Sequence, residues 1–193
     1  MSEASASRDE RITAATLELL RSKGPRAVTV EAVSARSGVA KTTIYRRYRD
    51  RNEVLTAAMS SVARPAPPDD TSSLLPILEW VVAQSRHAID GGIGVGGLAA
   101  LLTDEDPEFT ELMRQLLAQH RRNLADVLKS AMRTHDLRAD IDVETVLDAI
   151  VGAYMSERAR SGGVRRMWSR VVLRNLWPAL TTQSLPAELA GKD

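Results

Sequence analysis

Residues 29–55 read TVEAVSARSGVAKTTIYRRYRDRNEVL. Thr29 stands directly in front of VEAVSARSG, where its hydroxyl can accept from a backbone N–H left free in the first turn of a helix. Val30 and Val33, joined by Ala32, recur at helical spacing and supply a buried face. Gly38 then tolerates positive φ, so the chain can reverse within a few residues and drop Val39 into the core beside the turn. A further helix starts near Ala40 or Lys41. Steps of about 100° per residue from Ile44 put Tyr48 near the same face and Thr42 and Arg46 almost opposite, flanked by Thr43 and Tyr45. Two short helices joined by a tight turn, the second basic and with a third helix behind it, make the outline of a DNA-reading helix-turn-helix.

The outward face of the second helix suits a groove. Thr42 and Thr43 are small enough to allow close approach, and Tyr45 and Arg46 can reach base edges, with Arg able to bond guanine or phosphate. Lys41, at the helix start, can meet base or backbone, and Arg47 and Arg51 flank it for phosphates. Thr29 offers a hydroxyl and free N–H groups at its own helix start to a further phosphate. Tyr48 stands evenly between a core aromatic and a groove residue, while Tyr45 reads as outward. Arg49 reads as solvated.

Charge supports this placement. The chain of 193 residues has a net charge of +1, but residues 1–58 carry +4 and the remainder −3. From Arg36 to Arg51 six cations face the single Asp50. A charge run alone is better explained by a solvated surface; its coincidence with the outward face of a turn-linked helix points to a polyanion partner. The chain has no cysteine, which excludes disulfides, thiolate metal sites and thiol nucleophiles. No stretch of about eighteen apolar residues occurs, and the polar, acidic MSEASASRDER start is unlike a secretory signal. A cytoplasmic protein with no membrane partner is expected.

Elsewhere the pattern is helical throughout. Residues 1–7 read as a disordered arm, with Ser7 and Glu10 forming a capping box for a helix over Arg8–Lys23 that buries Ile12, Ala15, Thr16, Leu19 and Leu20. Gly24 and Pro25 end it. Asn52–Val62 continues as a fourth helix, and RPAPPDDTSS (64–73) cannot be regular helix. Domains are therefore expected over 1–58 and 59–193. Helix resumes from Leu74 to about Asp90 and leads into GGIGVGG (91–97). Gly92, Gly94 and Gly97 satisfy GxGxxG, but with no strand before them a dinucleotide site is not expected; the segment is either a flexible connection or a place of close helix packing. Thr103 to Pro107 supply a cap and an acidic first turn for a long helix to Thr134. Asp140 or Asp142 caps the next, over 143–160, and Gly162 and Gly163 separate it from another over 164–180, with Pro178 in its last turn or just beyond. These two broadly apolar helices suggest a surface that something covers. The last dozen residues read as a loose tail.

Catalytic chemistry has no foothold. His87, His120 and His135 form no HExxH or close ligand pair, and neither a GxSxG elbow nor a P-loop occurs. No enzyme activity, metal or cofactor is expected.

Gly24–Leu55 resembles the N-terminal DNA-binding domain of the TetR family of one-component transcriptional regulators. Thr29, Gly38, Val39, Lys41, Thr43, Tyr45, Tyr48 and Arg51 match that pattern in order and spacing, over a quarter to a third of the chain. Departures are modest. Ala40 replaces a frequent Ser or Thr, so a hydroxyl contact to phosphate is missing there; Tyr48, Arg51 and Arg47 stand where Phe, Lys, and His or Tyr are common. The resemblance implies an all-α fold of about nine helices, a three-helix DNA-binding domain followed by a larger helical bundle. It further implies a homodimer through helices 143–160 and 164–180 and a pseudo-palindromic double-stranded operator read by helix 41–48. A repressor released by a small molecule would follow, with Trp80, Leu98, Met113, Leu116, His120 and Tyr154 as candidate pocket residues. The alternative is a C-terminal domain that binds a protein partner instead.

Overall fold

The computed structural model of the protein describes residues 7–190, apart from the side chain of Ser61; the expected N-terminal arm lies outside them save for Ser7. Among the described residues the chain is all-α: α1 (Arg8–Lys23), α2 (Val30–Ser37), α3 (Lys41–Arg47), α4 (Arg51–Ala63), α5 (Leu74–His87), α6 (Gly94–Thr103), α7 (Pro107–Thr134), α8 (Val143–Ser161), α9 (Trp168–Leu180) and the single turn α10 (Ala187–Ala190). Extended pairing among them is confined to one antiparallel bridge, Leu137 with Thr181. No helix among them is long and apolar enough to cross a membrane.

Local chemistry sets the helix ends. The Ser7 hydroxyl accepts from the Glu10 N–H at 3.2 Å while the Glu10 carboxylate accepts from the Ser7 N–H at 2.6 Å, completing the capping box. Thr29 Oγ1 accepts from the Ala32 N–H at 3.1 Å, and Gly38 ends α2 in the left-handed region at φ 67°. Asp50 caps α4 through Glu53, and of the two candidates for α8 it is Asp142 that caps, through Thr145.

The helices group into two compact units. The first takes the residues up to Arg64 together with His87–Gln119, and the second takes Pro65–Arg86 and the residues from His120 onward. The first unit has one apolar cluster in which Leu20, Val33, Ile44 and Leu55 are fully buried with Phe109 and Met113 of α7. Each such side chain contributes roughly 1.5–3 kcal/mol on leaving water. α3 therefore shares its core with α7, not only with its neighbours in sequence.

The glycine-rich segment makes that possible. Residues Ala88–Ile93 form a wide π-type turn that kinks at Gly92, and α6 follows at once. Gly94 has φ +69°, and a Cβ there would lie 2.6 Å from Arg21 Cα; one on Gly96 would lie 3.1 Å from the Arg21 carbonyl oxygen. Of the two readings open at 91–97, close helix packing is the one found.

In the second unit Leu78, Tyr154, Trp168 and Trp177 are buried. The Tyr154 and Trp168 rings meet edge to face, 5.3 Å apart. Two expectations need correction here. The last long helix begins at Trp168, not at 164, because after Gly162 (φ 70°) the chain folds back so that Arg165 can reach the buried Glu157. Arg165 donates to that carboxylate from its backbone N–H at 2.9 Å and from Nη2 at 2.8 Å. These bonds, the side-chain ones foremost, pull the Glu157 carboxyl down to about 2 against the opposing effect of desolvation. The segment after α9 is also no loose tail within the described residues. Thr181 Oγ1 donates to the Asp136 carbonyl at 2.9 Å, Trp177 Nε1 donates to the Gln183 carbonyl at 3.1 Å, and Leu189 of α10 is buried.

Candidate nucleic-acid interface

α3 presents two chemically different sides. Ile44 points into the core and is fully buried, and Val39 is buried beside it at the turn. Thr42, Tyr45, Arg46 and Arg47 are exposed and Thr43 half-buried, with Tyr45 53% exposed. An aromatic ring left that open on a seven-residue helix is costly in water and useful at a surface that will be covered. Tyr48, evenly placed by sequence, packs half-buried against the core cluster, so it supports the helix from behind.

The cations on this side are lightly held. Arg46 has no ion pair or hydrogen bond within the described residues. Lys41 Nζ lies 3.5 Å from Glu31 and Arg47 Nη2 2.6 Å from Asp9, all four side chains about half exposed. Such exposed pairs contribute about 0–1 kcal/mol and yield readily to a phosphate. Ala40 heads α3 with no side-chain cap, which leaves the first N–H groups of the helix uncovered by protein side chains. Thr29 is exposed, but its Oγ1 is already engaged as the α2 cap, so its phosphate-facing chemistry is that of the hydroxyl hydrogen and the helix start.

Arg51 departs from the expectation of a phosphate contact. Its side chain is only 25% exposed and its guanidinium is spent internally. Nε donates to the Val28 carbonyl at 3.0 Å, and Nη2 donates to the Pro25 carbonyl and to Asp106 Oδ2, each at 2.7 Å. Asp106 uses its other oxygen to cap α7 through the Phe109 N–H at 3.1 Å. Burial would raise the Asp106 carboxyl, but the Arg51 bond, the Phe109 N–H and the charges of Arg51 and Arg26 together hold it below its ordinary value. Arg51 is thus a clamp that joins the turn before α2, the start of α4 and the start of α7.

Neighbouring contacts extend the clamp. Arg26 donates to the Glu105 carbonyl at 2.7 Å, Asn52 Nδ2 to Glu108 at 2.5 Å, and Arg21 Nη1 to the Gly91 carbonyl at 3.2 Å. Sequence reasoning missed Asp106 and Glu108 as partners of Arg51 and Asn52 at the start of α4. Asp106 before Pro107 announces a helix cap, but nothing local announces which arginine shares it.

The six candidate pocket residues divide between the units. Met113 is buried in the first-unit core with Leu98 and Leu116 packed half-buried against it. Trp80 is half-buried, while His120 and Tyr154 are buried in the second unit. The second unit has open cavities of about 470 and 310 Å³, and neither is lined by Trp80, His120 or Tyr154.

Known proteins share this arrangement. A family model for bacterial regulatory proteins of the tetR family matches residues 12–58, and one for the tetracyclin repressor-like C-terminal domain matches residues 68–172. The uncharacterized HTH-type transcriptional regulator YdeS of Bacillus subtilis (strain 168) is 30% identical over 151 residues, 73% of either chain. Among solved structures, the tetR regulator tylp of Streptomyces fradiae superposes with a TM-score of 0.63 at 20% identity, over 97% of this chain and 91% of its own. The ketosteroid transcriptional regulator KstR2 of Mycobacterium tuberculosis gives 0.58 at 19% identity, over 92% and 96%. With both parts matched in order and a relative 30% identical over 73% of either chain, the chain belongs to the TetR family of transcriptional regulators.

Proposed function

We propose that the protein is a homodimeric, ligand-responsive repressor that reads a pseudo-palindromic double-stranded operator through α3 and leaves it when a small molecule binds the C-terminal domain. In this reading residues 1–58 bind DNA and 59–193 bind the effector and dimerise. The observation that carries it is the outward side of α3, where Thr42, Tyr45 and the unpaired Arg46 stand exposed over a fully buried Ile44. Lys41, Thr42, Thr43, Tyr45 and Arg46 meet bases, and Thr29 and Arg47 meet phosphates.

A two-fold protein matches a two-fold site with half-sites about 34 Å apart. Support for a dimer through α8 and α9 comes from Ala149, Gly152, Ala153 and Ser156, an exposed run of small residues on one side of α8. A Cβ on Gly152 would meet nothing within 4 Å, so a second helix has room to approach. Support for a small effector over a protein partner comes from the second-unit cavity of about 310 Å³ beside Ile77 and Val127, within the size small ligands use. Trp80, Leu98 and Leu116 are the half-buried candidates among the effector-site residues, with Met113, His120 and Tyr154 deeper.

The test is a selection of bound duplexes from a random pool, followed by gel shifts. Tyr45→Ala and Arg46→Ala each weaken the selected sequence by roughly 1–3 kcal/mol while leaving thermal unfolding unchanged. Unaltered affinity in both variants would refute the assignment of the reading face.

A further inference from the structure

The larger cavity of the second unit, about 470 Å³, is walled by α5, by α9 with the turn before it, and by α10. Arg166 in the turn before α9 and Arg170 on α9 line it, together with Glu79 from α5 and Glu188 from α10. Between them lie the buried Leu173 and Leu189. The α10 wall is held in place by the Trp177–Gln183 bond and the burial of Leu189.

These four charges do not neutralise one another. None of them makes an ion pair or hydrogen bond, and Arg170 Nε is buried without an acceptor. Elsewhere in the same unit opposite charges within reach do pair, as Arg138 with Asp140 and Arg121 with Asp148, both at 2.7 Å. Glu79, Arg166 and Glu188 are exposed at the rim and Arg170 is half-buried, so two cations and two anions stand unpaired around a space the size of a small ligand. An unmet buried guanidinium N–H is a standing cost that an acceptor would relieve. A simple anion would meet Arg166 and Arg170 but face two carboxylates, and a simple cation would leave Arg170 unmet. A molecule with a carboxylate at one end, an ammonium at the other and an apolar body to lie on Leu173 and Leu189 satisfies every wall.

We propose that the cavity between α5, α9 and α10 binds an amphipathic zwitterion, an α-amino acid or short peptide with apolar side chains. This site is separate from the effector residues named above and does not rest on the repressor reading. The test is calorimetry on the full chain without DNA, so its failure is distinct from a failure to bind an operator. Leucyl-leucine is the probe, with hexanoate and hexylamine as single-charge controls. Leucyl-leucine is expected to bind at least about tenfold more tightly than either control, and Arg170→Gln and Glu188→Gln are each expected to weaken it by about tenfold or more. Circular dichroism checks the fold, and Glu79→Gln replaces either variant that fails to fold. No binding of leucyl-leucine, hexanoate binding as tightly as the dipeptide, or dipeptide binding indifferent to these substitutions would overturn the proposal. So would a change in sedimentation without any dipeptide binding in Arg170→Gln, which would assign the four charges to a contact between copies of the chain.

Discussion

On the outer side of α3 Arg46 has no partner, and Lys41 and Arg47 reach only exposed carboxylates. A few residues on, Arg51 gives its guanidinium to two carbonyls and Asp106, and Arg26 and Arg21 likewise spend theirs on residues 105 and 90–91. Both regions belong to the same basic half of the chain. For the first set only exposed carboxylates compete with a polyanion, whereas Arg51, 25% exposed, is held by partners inside the fold, and the exposed Arg26 stands between the two. Position relative to a helix face, not charge, decides which arginines are left open to solvent and which are held inside the fold.

The sharpest way to break this comparison is Arg51→Ala. Removing a mostly buried cation leaves Asp106 and two carbonyls unmet, and the chain should lose roughly 3 kcal/mol in urea unfolding. A phosphate contact would instead cost no stability and lower the salt slope of DNA binding by about one phosphate. The acid limb gives a second reading of the same clamp. The folded Asp106 carboxyl lies below its ordinary 3.8, so its contribution is complete above that value and is lost as pH falls through the lower folded value. The stability difference between the native chain and Asp106→Asn should therefore be constant from neutral pH to about 4 and shrink below it. A difference that grows on acidification would contradict the clamp.

Gly94→Ala tests the other end of the holding region. A Cβ there meets Arg21 backbone at 2.6 Å on a residue with positive φ, so both overpacking and strain oppose it. A loss of about 2 kcal/mol is expected, whereas Gly152→Ala, with open space around its Cβ, should change monomer stability little. Equal effects at the two glycines would show that α6 does not depend on close approach to α1.

How much of this was legible in the sequence follows from the range of each interaction. The capping box at Ser7 and Glu10, the Thr29 cap and the Gly38 turn depend on neighbours two to four residues away, and they were readable with their partners. The face of α3 was readable because helical periodicity alone separates Ile44 from Thr42 and Arg46. The internal bonds of Arg51 were not legible because its partner Asp106 lies 55 residues on, and its charge carries no mark of direction. The start of α9 was missed because Glu157 draws back Arg165, eight residues on, and the ordered segment after α9 because Asp136 recruits Thr181 and Gln183 from 45 and 47 residues on. The effector residues were least legible, because an apolar side chain that lines a cavity and one that fills a core have the same spacing.

Asp9→Asn gives the smallest effect and the finest division between the two sets. Arg47 Nη2 lies 2.6 Å from Asp9, with the two side chains 58% and 45% exposed, so removing the charge should cost less than about 1 kcal/mol of stability. If Arg47 belongs with the reading cations, the freed guanidinium and the lost carboxylate should both favour phosphate. Affinity for duplex DNA should then rise several-fold at low salt, and the gain should fade as salt screens it. A fall in affinity would mean that Asp9 positions Arg47 as Asp106 positions Arg51. In that case the boundary between reading and holding would run through α3 itself, between Arg46 and Arg47.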